Sequence, residues 1–353
     1  MRAEILAPPR TILSNPHGRH NYFAWPTVVR TKDGRLLVGA SGFRLRHVCP
    51  YGKCVVAASD DEGKNWTAPM IALDSPLDDR DVGLCPFGES GVVLTSFNND
   101  RETQRKWLSK KPNDYVAAGI EAITDEDEEK YLGYLSVVST DNGRSFGGLF
   151  KAPVSSPHGP LVLEDNRLLW IGSRFENGVK LLAAYTSDHT GGAQKYLSTL
   201  PVTRPDSCDC EPHAVLLPDG KILCHIRAEN KQTKLFTIFQ TVSADLGKTW
   251  SKPVQLLGDT GGAPPHLLCT SDGKIISAYA RRVAPQKIFA MVSTNGGESW
   301  QTDLELADCV SSDCGYPATV ELRDGSFLTV YYAHDGADTP AVIKQVIWKL
   351  TES

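Results

Sequence analysis

Four segments of this 353-residue chain repeat one short pattern, and no other feature narrows its fold so far. Ser59–Trp66 (SDDEGKNW), Ser139–Phe146 (STDNGRSF), Ser243–Trp250 (SADLGKTW) and Ser293–Trp300 (STNGGESW) all read Ser-x-Asp/Asn-x-Gly-x-x-aromatic. A decayed fifth copy lies at Ser187–Gly191. Each of the four follows a strand-like run such as CVVAAS or IFAMVS. A second repeat is interleaved with the first: TKDGRLLVGA, LEDNRLLWIG, LPDGKILCHI, TSDGKIISAY and LRDGSFLTVY, with PFGESGVVLTSF as a sixth copy. Asp-Gly between apolar runs marks a hairpin, because those turn positions need a positive φ.

One unit therefore reads strand, Asp-Gly turn, strand, longer loop, strand, Asp-box turn, short strand. That is a four-stranded antiparallel blade. Units start at Trp25, Val82, Pro160, His213, His266 and Tyr316. The expected fold is all-β, a single six-bladed β-propeller domain over residues 1–353, an architecture that leaves only short sheet edges. The last unit shows three strands of its own (Ala318–Leu322, Phe327–Tyr332, Val342–Trp348), so Ile5–Leu13 is expected to add the fourth and close the ring.

The regular spacing breaks once, at about residues 98–130, as an insertion between the second and third strands of blade 2. It holds RETQRKWLSKKPND, a helix-compatible stretch at Tyr115–Ile123 and a charge run at Asp125–Lys130 that reads as a solvated face. Loops of that length in compact domains are lids, binding loops or disordered segments.

The box aspartate reads as structural. Two residues before a glycine, its carboxylate can accept the turn's own N–H groups. Asn295 holds that position in the fourth box, keeping the acceptor and losing the charge. Composition excludes other classes. Lys and Arg number 37 against 42 Asp and Glu, a net charge of −5, which argues against a nucleic-acid partner. No apolar run approaches the roughly 18 residues of a membrane span. The nine scattered cysteines are an odd number, contain no CxxC pair, and read as free thiols. The start MRAEILAPPRTIL is broken by Glu4, Pro8, Pro9 and Arg10, so a cytoplasmic location is expected unless a leader has been removed. No cofactor or metal is expected.

Blade topology puts the short turns on one rim and the variable loops on the other. The loop-bearing rim collects His47, Asp78, Asp79, Arg80, Asp81, Glu211 and Tyr316 with a set of arginines. Arg174, Arg227 and Arg281 fall near the same strand-end position in three blades, and Arg44 and Arg46 follow a fourth. Arginines converging on an axis suit an anionic ligand, and guanidinium matches a carboxylate in two-pronged geometry.

With these residues in place, the chain resembles the sialidase superfamily, in which Asp boxes decorate a six-bladed propeller, and it is a divergent member. CEPHAVLLPDGKILCHIR is similar to the blade that opens on a glutamate and ends its second strand on an arginine, here Glu211 and Arg227. CGYPATVELRDGSFLTVYY is similar to the last blade, whose tyrosine is the nucleophile, here Tyr316. The resemblance implies an exo-acting glycosidase that releases a terminal sialic acid or related acidic sugar from a sialylated or other acidic glycan. Sialidases use tyrosine in place of one carboxylate. A neutral phenol approaches an anomeric carbon bearing a carboxylate without repulsion, and an adjacent glutamate can take its proton. Two departures stand out. Ala24 occupies the place of the first-blade arginine, for which Arg19, Arg44, Arg46 or Arg80 are substitutes. The blade-1 loop GFRLRHVCPYGK lacks the acid/base aspartate. His47, with a reference pKa of about 6.5, is its nearest replacement, and Asp79 or Asp81 is the next. Action on another acidic glycan, by hydrolysis or by lyase chemistry, and non-catalytic glycan binding stay open.

Overall fold

The structure, a computed structural model, describes residues 1–259, 261–262 and 264–352. Six four-stranded antiparallel sheets form a propeller. Their first strands are Tyr22–Arg30, Asp78–Phe87, Leu161–Val162, Ser207–Leu216, His266–Cys269 and Gly315–Glu321. These touch one another around the axis, so residues far apart in sequence converge there. The sixth sheet runs Gly315–Glu321, Phe327–His334, Ala341–Thr351 and then Arg2–Leu13. The N-terminal segment thus supplies the outermost strand of the last blade, pairing from Arg2 with Thr351 to Leu13 with Ile343.

Apolar side chains pack mainly between blades. Leu36, Val38, Tyr316 and Tyr332 belong to the layer joining blades 1 and 6, and Leu169, Ile171, Cys224 and Ile226 to that joining blades 3 and 4. The box turns tie these layers together. In the first box, Asp61 Oδ1 accepts the Asn65 N–H at 2.8 Å, and Ser59 Oγ accepts the Gly63 N–H at 2.9 Å. Asn295 does the same for the Ser299 N–H at 3.0 Å without a charge. Gly63, Gly143, Gly247 and Gly297 take φ between 77° and 88°, where a Cβ would be strained. Each box tryptophan reaches back to the preceding blade: Trp66 Nε1 donates to Gln345 Oε1, Trp250 to Ser198 Oγ and Trp300 to Gln240 Oε1. All nine cysteines are free. No described helix is long and apolar enough to cross a membrane.

The insertion is more ordered than its composition indicates. It forms helices α1 (Arg101–Lys110), α2 (Asp114–Glu121) and α3 (Asp125–Tyr131). Only α2 falls on the stretch expected to be helical; the acidic run read as a solvated face is α3. Its start was legible in a capping box, with Thr124 and Asp127 bonding each other's backbone N–H. The insertion leans on the blade-1 loop. Trp107 stacks on His47 with ring centroids 5.6 Å apart, Tyr115 stacks on Tyr51 at 4.8 Å, and Arg46 donates to the Lys111 carbonyl.

Candidate active site

Four first strands break their pairing at one equivalent place. Register shifts at Ala24/Thr27, Arg80/Gly83, Cys210/His213 and Gly315/Ala318 mark β-bulges. Inside each bulge one non-glycine residue is left-handed: Trp25 at φ 55°, Asp81 at 45°, Glu211 at 48° and Tyr316 at 50°. A bulge re-aims a side chain that regular alternation would send into the blade. Left-handed backbone at such residues costs on the order of 1–3 kcal/mol each, and such costs gather at functional sites.

Three of the four meet at the axis. The Tyr316 hydroxyl donates to Glu211 Oε1 at 2.7 Å and lies 3.2 Å from Asp81 Oδ2. Arg227 Nη1 donates to the other Glu211 oxygen at 2.5 Å. Tyr316, Asp81 and Arg227 are buried, at 5%, 4% and 8% exposure. Burial, then the Asp81 and Glu211 charges, hold the Tyr316 phenol well above its usual value. Burial pushes Glu211 up, but Arg227 and the Tyr316 hydroxyl outweigh it and hold the carboxyl below its usual value. The resting pair is therefore neutral phenol and ionised Glu211. Asp81 is raised by burial to about 6, against the pull of Arg80. Its Oδ1 is buried without a hydrogen-bond partner.

Not all expected residues join this centre. Asp79 is fully buried, and its carboxylate binds the Ser75 N–H and hydroxyl at 2.6 and 2.7 Å, so it closes a turn. Arg44 is fully buried, paired with Asp78 and bonded to the Asp79 carbonyl at 2.9 Å. Arg46 holds the insertion. Arg174 lies over the Tyr185 ring and 3.9 Å from Glu176. Arg281 sits over Phe289, while its neighbour Arg282, opposite in side-chain direction, lies over Tyr316 at 5.7 Å. The cations acting on Tyr316 are Arg80, Arg227 and Arg282. Arg80 stacks on the Trp25 ring at 3.9 Å.

His47 stands to one side, in a network centred on Asp313. Asp313 accepts Tyr22 and Tyr332 hydroxyls at 2.8 and 3.0 Å, and lies 3.2 Å from His334 Nε2 and 3.5 Å from His47 Nδ1. Burial lowers the His47 pKa despite Asp313, so at neutral pH it is uncharged. Tyr22 carried no repeat or motif that marks it; Asp313 and Arg282 are among the residues of the loop-bearing rim, with Arg282 an alternative to Arg281 for the third arginine of the family, and Tyr332 ends the last-blade segment without a role of its own. Among the described residues no group of three or more His, Cys, Asp or Glu is arranged to hold a metal ion. A cavity of about 830 Å3 opens on the opposite rim and is lined in part by the stacked imidazoles of His213 and His266, but by none of the carboxylates, arginines or tyrosines of this centre.

The BNR repeat-like domain family matches residues 115–329. No curated protein sequence matches the chain. Among solved structures, a protein of unknown function from Dyadobacter fermentans is similar over 99% of both chains, at 20% identity and a TM-score of 0.77. The NanB sialidase of Streptococcus pneumoniae is similar over 98% of this chain and 71% of its own, at 16% identity and a TM-score of 0.68. The intramolecular trans-sialidase of Ruminococcus gnavus is similar over 96% of this chain and 97% of its own, at 14% identity and a TM-score of 0.64. These likenesses are likenesses of fold.

Proposed function

Because the chain belongs to the BNR repeat-like domain family, with a propeller of the sialidase kind, we propose that it is an exo-acting glycosidase releasing a terminal sialic acid or related acidic sugar. The observation that carries this reading is the Tyr316–Glu211 hydrogen bond across the axis, with Arg227 on the far oxygen of Glu211.

Each group has a role that fits its environment. Tyr316 Oη attacks the anomeric carbon as its proton passes to Glu211. The glycosidic C–O bond breaks, and the leaving oxygen takes a proton from Asp81. Water then attacks the glycosyl–tyrosine bond, giving its proton to Asp81, while Glu211 returns a proton to Tyr316. Asp81 is preferred to His47 as proton donor because it borders Tyr316, keeps an unpartnered oxygen and titrates near 6. Arg80, Arg227 and Arg282 hold the substrate carboxylate. Arg227 keeps Nε unpaired for it. With Ala24 in place of an arginine, Arg80 supplies the first-blade cation from the neighbouring blade.

Turnover of an aryl sialoside, set beside aryl uronides, tests the activity. A fluorinated acidic-sugar probe is expected to leave an adduct on Tyr316 that peptide mass spectrometry locates. No turnover of any acidic glycoside would overturn the reading, and an adduct on another residue would overturn the tyrosine mechanism.

A further inference from the structure

The hairpin of blade 3 turns one face toward the site. Its strands, Leu168–Glu176 and Val179–Ser187, pair Arg174 with Leu181 and Phe175 with Lys180. Paired residues of antiparallel strands share a face, and successive residues alternate. Leu168, Trp170 and Ala183 pack toward blade 2, and Leu181, opposite Arg174, packs with them. Leu169, Ile171, Leu182 and Ala184 pack toward blade 4. By the same alternation, Arg174 faces blade 2, whereas Phe175 and Lys180 face blade 4, the blade of Glu211, on the loop-bearing rim; Arg227, in register with Ile238, faces on toward blade 5.

The electrostatics agree. Against the desolvation of its surroundings, the nearby Cys210 and Glu211 of blade 4 hold the Lys180 ammonium above its usual value, and Lys180 also acts on the Tyr134 phenol of blade 2. Yet Lys180 is exposed and makes no ion pair among the described residues, since Glu211 is already paired with Arg227 at 2.5 Å. Beside it, the Phe175 ring is 66% exposed. A free cation and a bare aromatic face, side by side on the rim that bears the site, are what an acidic sugar needs: charge for an anion, and a flat apolar surface for the C–H face of a pyranose. This cation is separate from Arg80, Arg227 and Arg282.

We infer that Phe175 and Lys180 form a subsite for a second anionic group, so that the preferred ligand is a dianionic glycan. The inference rests on the proposed activity. The second anion can sit on the acidic sugar itself or on the sugar next to it.

Binding to the non-turning-over Tyr316→Phe protein separates these cases. Three ligands are titrated by calorimetry: sialyllactose, disialyllactose with its second carboxylate on the adjoining sugar, and sialyllactose sulfated on the sialic acid. At least one dianionic ligand is expected to bind about three- to tenfold tighter than sialyllactose, the range of a partly exposed ion pair. Lys180→Ala should erase that gain and leave sialyllactose binding unchanged, and Lys180→Arg should keep most of it. Phe175→Ala should weaken all three ligands together. Equal affinity for all three, or a gain that survives Lys180→Ala, overturns the inference alone. Failure of every sialoside to bind overturns the proposed function and the inference with it.

Discussion

The Arg80 guanidinium lies 3.9 Å above the Trp25 ring, so a blade-2 cation stacks on the blade-1 strand one residue after Ala24; the proposed function gives it the part of the arginine whose place Ala24 takes. Trp25 is left-handed and buried beneath it, at 1% exposure. Arg80 is fixed further by a bond to the His47 carbonyl at 2.5 Å and by Asp78 at 3.5 Å. Rigid placement lowers the entropy lost when a ligand binds.

Arg80 and Arg46 therefore make a contrasting pair. Arg80→Ala is expected to lower kcat/KM on an aryl sialoside by about a hundredfold, as loss of a desolvated charge-assisted contact does. Arg46→Ala should stay within a few-fold of wild type, since Arg46 bonds only the Lys111 carbonyl of the insertion. Steady-state kinetics of the two variants check this. Equal losses would mean that the blade-2 cation is not special.

The pH dependence follows from the two carboxyls at Tyr316. Glu211 must be ionised to accept the phenol proton, so activity falls as pH drops through its lowered pKa. Asp81 must be protonated to donate, so activity falls as pH rises above about 6. The kcat/KM profile should be a bell with its optimum on the acid side of 6. Asp81→Asn should remove the basic limb when a nitrophenyl leaving group, which needs little protonation, keeps the rate measurable. His47→Gln should leave that limb in place. The opposite pattern would assign the proton to His47.

What the sequence disclosed and what it hid divide along physical lines. Asp-Gly turns and Asp boxes are local, closing within four residues, so their chemistry is written in adjacent letters. Gly63 and Asp61 are legible for that reason. The bulges are less so. Pro26, Pro212 and Pro317 directly follow Trp25, Glu211 and Tyr316, and a proline inside a strand is confined to edges and bulges, but nothing adjacent to Asp81 marks it. Without the register, Arg174, Arg227 and Arg281 look equivalent. One step of alternation sends Arg174 toward blade 2 and Arg281 onto Phe289, and gives the place to Arg282. The Asp313 network was hidden differently. Tyr22, His47, Tyr332 and His334 reach it from opposite ends of the chain, and only ring closure brings them together.

Asp81 should cost the fold stability at neutral pH. A carboxyl held near 6 instead of 3.8 disfavours folding by on the order of 3 kcal/mol once it is ionised in both states. The raised value makes the sign definite: the penalty is full above pH 6 and fades as pH falls toward 4. Its left-handed backbone adds about 1 kcal/mol that glycine would relieve. Asp81→Gly is therefore expected to abolish turnover yet raise the thermal midpoint at pH 7.5, with a smaller gain at pH 4. Calorimetry at the two pH values checks this. A midpoint that falls at pH 7.5, or a gain independent of pH, would show that the buried carboxyl is not the source.

Ring closure depends on one strand with several attachments. Arg2–Leu13 pairs along Ala341–Thr351. Leu13 is buried at 2% exposure in the layer between blades 1 and 6. Arg10 Nη2 donates to the Gly63 and Lys64 carbonyls at 2.5 and 2.7 Å, stapling the blade-1 box, and the Met1 ammonium donates to Gln301 of blade 5 at 2.8 Å. Deleting residues 1–13 removes these ties together. It also leaves Ala341–Thr351 as an exposed edge able to pair with another chain. The deletion is expected to lower the thermal midpoint by about 10 °C or more, the scale of several kcal/mol for a domain of this size, and to promote aggregation. Arg10→Ala should cost far less, because strand pairing survives it. Calorimetry and light scattering on the two variants would separate closure from the staple. A deletion variant that melted like wild type would show that the other three strands of blade 6 close the ring without the N-terminal one.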